Sequence, residues 1–152
     1  MVISFMRRFL FVHIYKAAGM SIEQALKSYD ERAGLLGHPL AEQERLLQAL
    51  GVNPAILGMQ RHVFAAEIRD TLGQDLFNKL FKFAFVRNPW DLQLSLYHFN
   101  IAHPEFAPRA PAASFEEHIM ALEPAAHPVG QQRRFLIDAD GKTLVDYVGR
   151  FE

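Results

Sequence analysis

Two short apolar runs, each ending in a turn and followed by a helix, constrain this chain most. Phe9-Leu-Phe-Val-His-Ile14 and Phe81-Lys-Phe-Ala-Phe-Val86 are nearly continuous in apolar residues, the pattern of strands buried on both faces in a parallel sheet. After the first come Lys16-Ala-Ala-Gly19 and then Ser21-Ile-Glu-Gln24, which fits a capping box at a helix start. The second stops at Arg87-Asn-Pro89. There the proline cannot continue a ladder, but it fits the first turn of a helix running from Trp90 to about Phe99. Strand, turn and helix thus occur twice. This favours an α/β fold of three layers, a central parallel sheet flanked by helices, with ligands bound at the carboxyl ends of the strands.

The remaining elements follow from local signals. Met1 to Tyr15 reads as one core strand. Leu40 to Leu50, with leucines at 46, 47 and 50 and Gly51 beyond, predicts an amphipathic helix with a glycine cap. A further helix is expected over Val63 to Leu72, ending at Gly73. Pro104, Pro108 and Pro111 mark a loop, and Ser114-Phe-Glu-Glu117 caps a short helix that Pro124 ends. Phe135-Leu-Ile-Asp138, a turn over Asp138-Ala-Asp-Gly141, and Thr143 to Val148 together predict a C-terminal hairpin.

Composition narrows the function classes. A chain of 152 residues, 50% of them hydrophobic, buries roughly two thirds of its unfolded surface and needs no staple. It has no Cys, so a thiolate zinc site, a thiol nucleophile and a disulfide framework are excluded. With 16 Lys+Arg against 17 Asp+Glu and a net charge of −1, broad coating of nucleic acid is not expected, while a local basic pocket is still possible. Phe9 to Val12 is far too short to span a bilayer, and no stretch approaches 18 apolar residues. The expectation is a cytoplasmic chain without a transmembrane segment.

Two places can carry chemistry. In Tyr15-Lys-Ala-Ala-Gly-Met-Ser21, small residues let the backbone approach a ligand at a helix N-terminus, and Lys16 adds a positive charge. That composition suits a phosphate or sulfate. It is not a Walker A loop, because the lysine precedes the glycine by three positions and Gly is absent at 14. The plainer reading has Lys16 solvated, Gly19 making the turn and Ser21 capping. In the second place, Arg87 ends a buried strand, where a guanidinium is costly unless paired, and Ser95 lies on the next helix. They can fork a second phosphate, or Arg87 can pair with Asp91 while Ser95 faces solvent.

Four blocks then carry a resemblance. Phe11-Val-His-Ile-Tyr-Lys-Ala-Ala-Gly-Met-Ser-Ile22 comes first, and His62 ahead of Ala65-Ala-Glu-Ile-Arg69 second. Phe83-Ala-Phe-Val-Arg-Asn-Pro-Trp-Asp91 with Ser95-Leu-Tyr97, and Val145-Asp-Tyr-Val-Gly-Arg-Phe-Glu152, complete the set. In order and spacing they resemble the carbohydrate sulfotransferases, the family that includes heparan and chondroitin sulfotransferases and their bacterial relatives. The resemblance implies a P-loop-like α/β fold. It also implies transfer of a sulfuryl group from 3'-phosphoadenosine 5'-phosphosulfate to a hydroxyl, in a scheme that requires no metal.

By carry-over, Lys16, Ala17, Ala18, Gly19, Met20 and Ser21 hold the 5'-phosphosulfate, and Arg87 and Ser95 hold the 3'-phosphate. Lys16 then stabilises the leaving group, and His62, where relatives carry a catalytic histidine, acts as the base. The chain departs from the family at Tyr15, where Pro is usual, at Ala17 and Met20, where Thr is usual, and at Leu92, where Arg or a similar polar residue is common. Family members continue with further helices beyond the position of Glu152, so the expectation is one sulfotransferase-like domain without that C-terminal part. A remnant that binds nucleotide without transfer, and an ATP-dependent phosphotransferase, are the alternatives.

Other residues have plainer readings. His13 is expected to be a packed core histidine, and Glu67 a helix-surface carboxylate with the base as its alternative role. Trp90, Tyr97 and Phe99 are expected to pack their helix onto the sheet. Asp138-Ala-Asp-Gly141 lacks the later acidic ligands of a calcium loop, and the spacing of His98 and His103 matches no zinc pair. Arg133 and Arg134, next to Gln131 and Gln132, read as solvated surface, with an anionic sugar acceptor as the alternative.

Overall fold

In a computed structural model, which describes residues 1–35, 37–107, 112–122 and 131–152, the chain is an α/β protein built on an open, mixed, four-stranded sheet. The strands are β1 (Val2–Ser4), β2 (Phe9–Val12), β3 (Phe81–Val86) and β4 (Tyr147–Arg150), and they lie side by side in that order. β2 and β3 are parallel, with Phe9 beside Phe81 and Val12 beside Ala84, and β4 is parallel to β3. β1 runs antiparallel to β2, with Val2 opposite Phe11, so the sheet is not purely parallel.

The single N-terminal strand expected from the sequence is in fact this β1–β2 hairpin. Its turn carries Arg7 and Arg8, with Arg8 left-handed at φ 56°. The Glu31 carboxylate clamps it, accepting from the Ser4 hydroxyl at 2.8 Å and the Phe5 amide at 2.6 Å.

Side chains alternate across the sheet, as the period of a strand requires. Leu10, Val12 and Ala84 enter the main core with Ile3. The helices that cover this core are α3 (Leu40–Ala49), which contributes Leu47, and α4 (Ala65–Leu72), which contributes Ala65, Ile68 and Leu72. Phe77 comes from α5 (Gln74–Asn78). The expected stop at Gly73 holds, at φ 80°, and α5 follows directly. Phe81 is 53% exposed, so the β3 run is not buried throughout.

Lys82 points into the core at 7% exposure, where its Nζ bonds the Leu80 carbonyl at 2.6 Å and the Asp146 carboxylate at 2.9 Å. Burial pushes the Asp146 carboxyl up, but hydrogen bonds from the Lys82 backbone and side chain, with its charge, outweigh that and hold it below the usual carboxylate range.

Other helices are α1 (Gly19–Leu26), α2 (Glu31–Leu35), α6 (Pro89–Ala102) and α7 (Phe115–Met120). Pro89 occupies the first turn of α6, and the Asn88 side chain accepts from the Trp90 amide. Ser114 caps α7 through the Glu117 amide. Pro108, Pro111 and Pro124 lie outside the described residues.

Three expectations are corrected. α1 starts at Gly19, and its N-cap Ala18 makes no side-chain cap bond, so Ser21 lies inside the helix and forms no capping box. The backbone has already turned at Lys16 and Ala18, which begins the helix early. The C-terminal hairpin reduces to one bridge, Ile137 to Thr143, and Phe135 belongs to a 3₁₀ turn over Gln132–Phe135. Asp146 is the reason: its amide donates to the Lys82 carbonyl and its carboxylate accepts the Lys82 amide, which steers the chain onto β3 as β4. The third correction concerns α6. Trp90 is 70% exposed, and Leu92 is the residue that α6 buries.

Gly149 is buried, and a Cβ there would lie 2.5 Å from the Phe85 ring, whereas one on Gly34 of α2 would meet nothing within 4 Å. Gly149→Ala should therefore lower stability in urea denaturation by about 1–3 kcal/mol. Gly34→Ala should raise it by about 0.5–1 kcal/mol.

Candidate functional site

Parallel pairing of β2 and β3 places the carboxyl ends of both strands at the same edge, and the two turns of interest leave from there. After β2, His13 and Ile14 stay buried. The chain then curls through Lys16 and Ala18, both left-handed at φ 56° and 58°. For residues with a Cβ that conformation costs roughly 1–2 kcal/mol each, and such strain collects at functional turns. The first helical bond of α1 runs from the Ile22 amide to the Ala18 carbonyl at 3.2 Å. The amides of Gly19, Met20 and Ser21 precede it and have no intrahelical acceptor, and the helix dipole adds positive potential there.

After β3, the Arg87 backbone is held from both sides by one amide. The Arg87 N–H donates to Gln132 Oε1, and Gln132 Nε2 donates to the Arg87 carbonyl, each at 2.7 Å. The guanidinium turns inward: Nη1 donates to the Lys16 carbonyl at 3.3 Å, and the Phe151 ring lies 5.0 Å away. Arg87 Nε is buried with no hydrogen-bond partner among the described residues. The Arg87–Asp91 salt bridge weighed from the sequence does not form. Lys16 Nζ sits over the Phe99 ring at 4.4 Å. Burial, and then the Arg87 charge, lower the pKa of its ammonium.

Lys16, Arg87 and Ser95 line one cavity of about 410 Å³, together with Asp91, His98, Phe99 and His103. That volume falls within the range of small-ligand sites. The structure thus brings together three residues that the sequence reading assigns to two anion sites. Ala17 is buried at 1% exposure beneath the turn. Met20 and Ser21 face outward from the first turn of α1, and Met20 lines a different cleft with Glu23 and Arg61.

His62 does not line the Lys16 cavity. It is half-buried and stacked on Tyr15 with ring centroids 3.6 Å apart, and Tyr15 directly precedes Lys16. Its Nδ1 lies 3.2 Å from the His13 carbonyl. A carbonyl can only accept, so Nδ1 carries the proton and Nε2 the lone pair. Burial lowers the His62 pKa, with the neighbouring N-terminal amine and Arg61 adding to it and the bond to His13 opposing it.

The plainer readings also meet the structure. His13 is a core histidine at 2% exposure, and Glu67 is an exposed side chain on α4. Asp138 accepts the Asp140 and Lys142 amides at 3.1 and 2.8 Å, which makes it a turn residue. Tyr97 meets Phe115 and His118 of α7, and Phe99 lies under Lys16, so neither does what was expected of it on the sheet. Among the described residues no group of three His, Asp or Glu is placed to hold a metal, and no helix is long and apolar enough to cross a membrane. Gln132 is the residue the sequence missed; its partner lies 45 positions away, and no local signal marks it.

Comparison with models of known protein families, with curated proteins and with solved structures found no match.

The strained turn gives a paired prediction. Ala18→Gly removes the left-handed penalty and should raise thermal stability by about 1 kcal/mol. Gly19→Ala would bring a Cβ to 1.8 Å from His13 Nε2 and should cost about 1–3 kcal/mol.

Proposed function

We propose that this chain is a sulfotransferase of the carbohydrate type, with a P-loop-like three-layer fold. It would move a sulfuryl group from 3'-phosphoadenosine 5'-phosphosulfate to a hydroxyl of a saccharide. The observation that carries the reading is the convergence of Lys16 and Arg87 on one cavity. Two cations from turns 71 positions apart meet there, with the buried Arg87 Nε unpartnered among the described residues. Like charges held together in a partly desolvated place are costly unless an anion completes the site. A donor with phosphates at both its 3' and 5' positions supplies charge for both.

The roles follow from chemistry. Lys16 and the open amides of Gly19 to Ser21 face the 5'-phosphosulfate, where negative charge grows on the phosphate as the sulfur–oxygen bond breaks. Arg87 and Ser95 take the 3'-phosphate, the guanidinium through charge-assisted bonds and the hydroxyl through one more. The acceptor hydroxyl forms the new bond to sulfur, and its proton goes to Nε2 of His62. The tautomer set by the His13 carbonyl supports that role.

Calorimetric titration tests the donor assignment. Adenosine 3',5'-bisphosphate should bind without magnesium and more tightly than 5'-AMP or Mg-ATP. Arg87→Ala should weaken the bisphosphate by about 1.5–3 kcal/mol and leave 5'-AMP almost untouched. Equal weakening of both nucleotides would reject the 3'-phosphate role, and a preference for Mg-ATP would replace the reading with phosphoryl transfer. With labelled donor and a saccharide panel, His62→Ala should abolish transfer at nearly unchanged nucleotide affinity. Undiminished turnover would remove His62 as the base.

A further inference from the structure

One buried residue outside the cavity touches both the start of α1 and His62. His13, at the end of β2, is 2% exposed. Its ring lies flat against the first residue of α1: a Cβ built on Gly19 would fall 1.8 Å from Nε2 and 1.9 Å from Cδ2. Its carbonyl accepts the His62 Nδ1–H at 3.2 Å, and the two rings meet edge-on with centroids 4.4 Å apart.

Its own Nδ1 lies 2.9 Å from Glu23 Oε1 on α1, one turn beyond Gly19. Glu23 is itself fixed, by Arg61 Nε at 3.0 Å and by the Met1 amine at 2.7 Å. A ring that only filled space would need no carboxylate. Here the carboxylate selects one ring orientation out of two, and that orientation decides how closely the strand end and the helix start approach.

We infer that His13, oriented by Glu23, is the positioning residue of this site. Through Gly19 its ring sets where the open amides of α1 point, and through its ring edge it sets the angle of His62, whose tautomer the backbone carbonyl at 13 fixes. It touches neither donor nor acceptor. Burial keeps it neutral, with a pKa lowered to about 4 even though Glu23 opposes the shift. The dyad therefore orients and does not exchange protons at neutral pH. This assignment rests on the function proposed above.

The test separates positioning from packing. His13→Phe keeps a ring of similar size and deletes the Nδ1–H, whereas Glu23→Gln keeps an acceptor for it. His13→Phe should weaken adenosine 3',5'-bisphosphate by at least about tenfold. It should also displace the amide signature of Gly19, Met20 and Ser21 in nitrogen-15 spectra. Glu23→Gln should stay within about twofold of the parent chain in affinity and keep that signature.

Packing alone predicts a His13→Phe chain that binds within about twofold and keeps the Gly19 to Ser21 amide signature, and that result would overturn the inference. If His13→Phe does not fold, Glu23→Ala takes its place, with the same expected loss and the same overturning result. If the parent chain does not bind the bisphosphate, the proposed function falls, and the Gly19 to Ser21 amide signature in these variants still decides the positioning role.

Discussion

Parallel pairing of β2 with β3 is the constraint on which the candidate site depends. With Val12 beside Ala84, both strands end at the same edge, and the turns that leave them carry Lys16 and Arg87. The contact from Arg87 Nη1 to the Lys16 carbonyl is therefore a consequence of register. A slip by one residue would turn Leu10, Val12 and Ala84 out of the core, and apolar burial of that kind is worth roughly 1.5–3 kcal/mol for each large side chain. The hydrophobic core thus fixes the electrostatics of the cavity.

The turn after β2 concentrates unfavourable terms. Two residues with a Cβ are left-handed, a lysine is partly desolvated beside an arginine, and a guanidinium nitrogen is buried without a partner among the described residues. Each left-handed residue and the unpartnered nitrogen costs on the order of 1–3 kcal/mol. They persist because neighbouring contacts over-determine the geometry: Gln132 grips Arg87 through both backbone groups, and Phe99 lies under Lys16. His13 fills the space beside Gly19 from the other side. Glycine at 19 is required for clearance from that ring.

Much of the fold was legible because its signals are local. β3 runs over Phe81–Val86 as its apolar run indicates, α6 starts at Pro89, and Ser114 caps α7. What was not legible depends on contacts distant in sequence. The first strand breaks into a hairpin around Arg8 and Glu31, and β4 leaves the expected C-terminal hairpin because Asp146 is claimed by Lys82. Trp90 reads as a packing residue by type, yet α6 turns it to solvent and buries Leu92.

The site divides in the same way. Lys16, Arg87 and Ser95 were legible from residue type and position in two strand–turn–helix units. The grip of Gln132 spans 45 positions, and no periodicity encodes it. The tie between His13 and Glu23 spans ten and joins a strand to a helix, so an apolar run containing a histidine conveys only burial.

The most direct test of the account is a backbone amide NMR titration with adenosine 3',5'-bisphosphate. The account predicts that the amides from Lys16 to Ser21 and those of Arg87 and Ser95 shift together along one binding curve, while β1 and α3 stay still. Shifts confined to one of the two turns, or two curves of different affinity, would contradict a single site shared by Lys16 and Arg87.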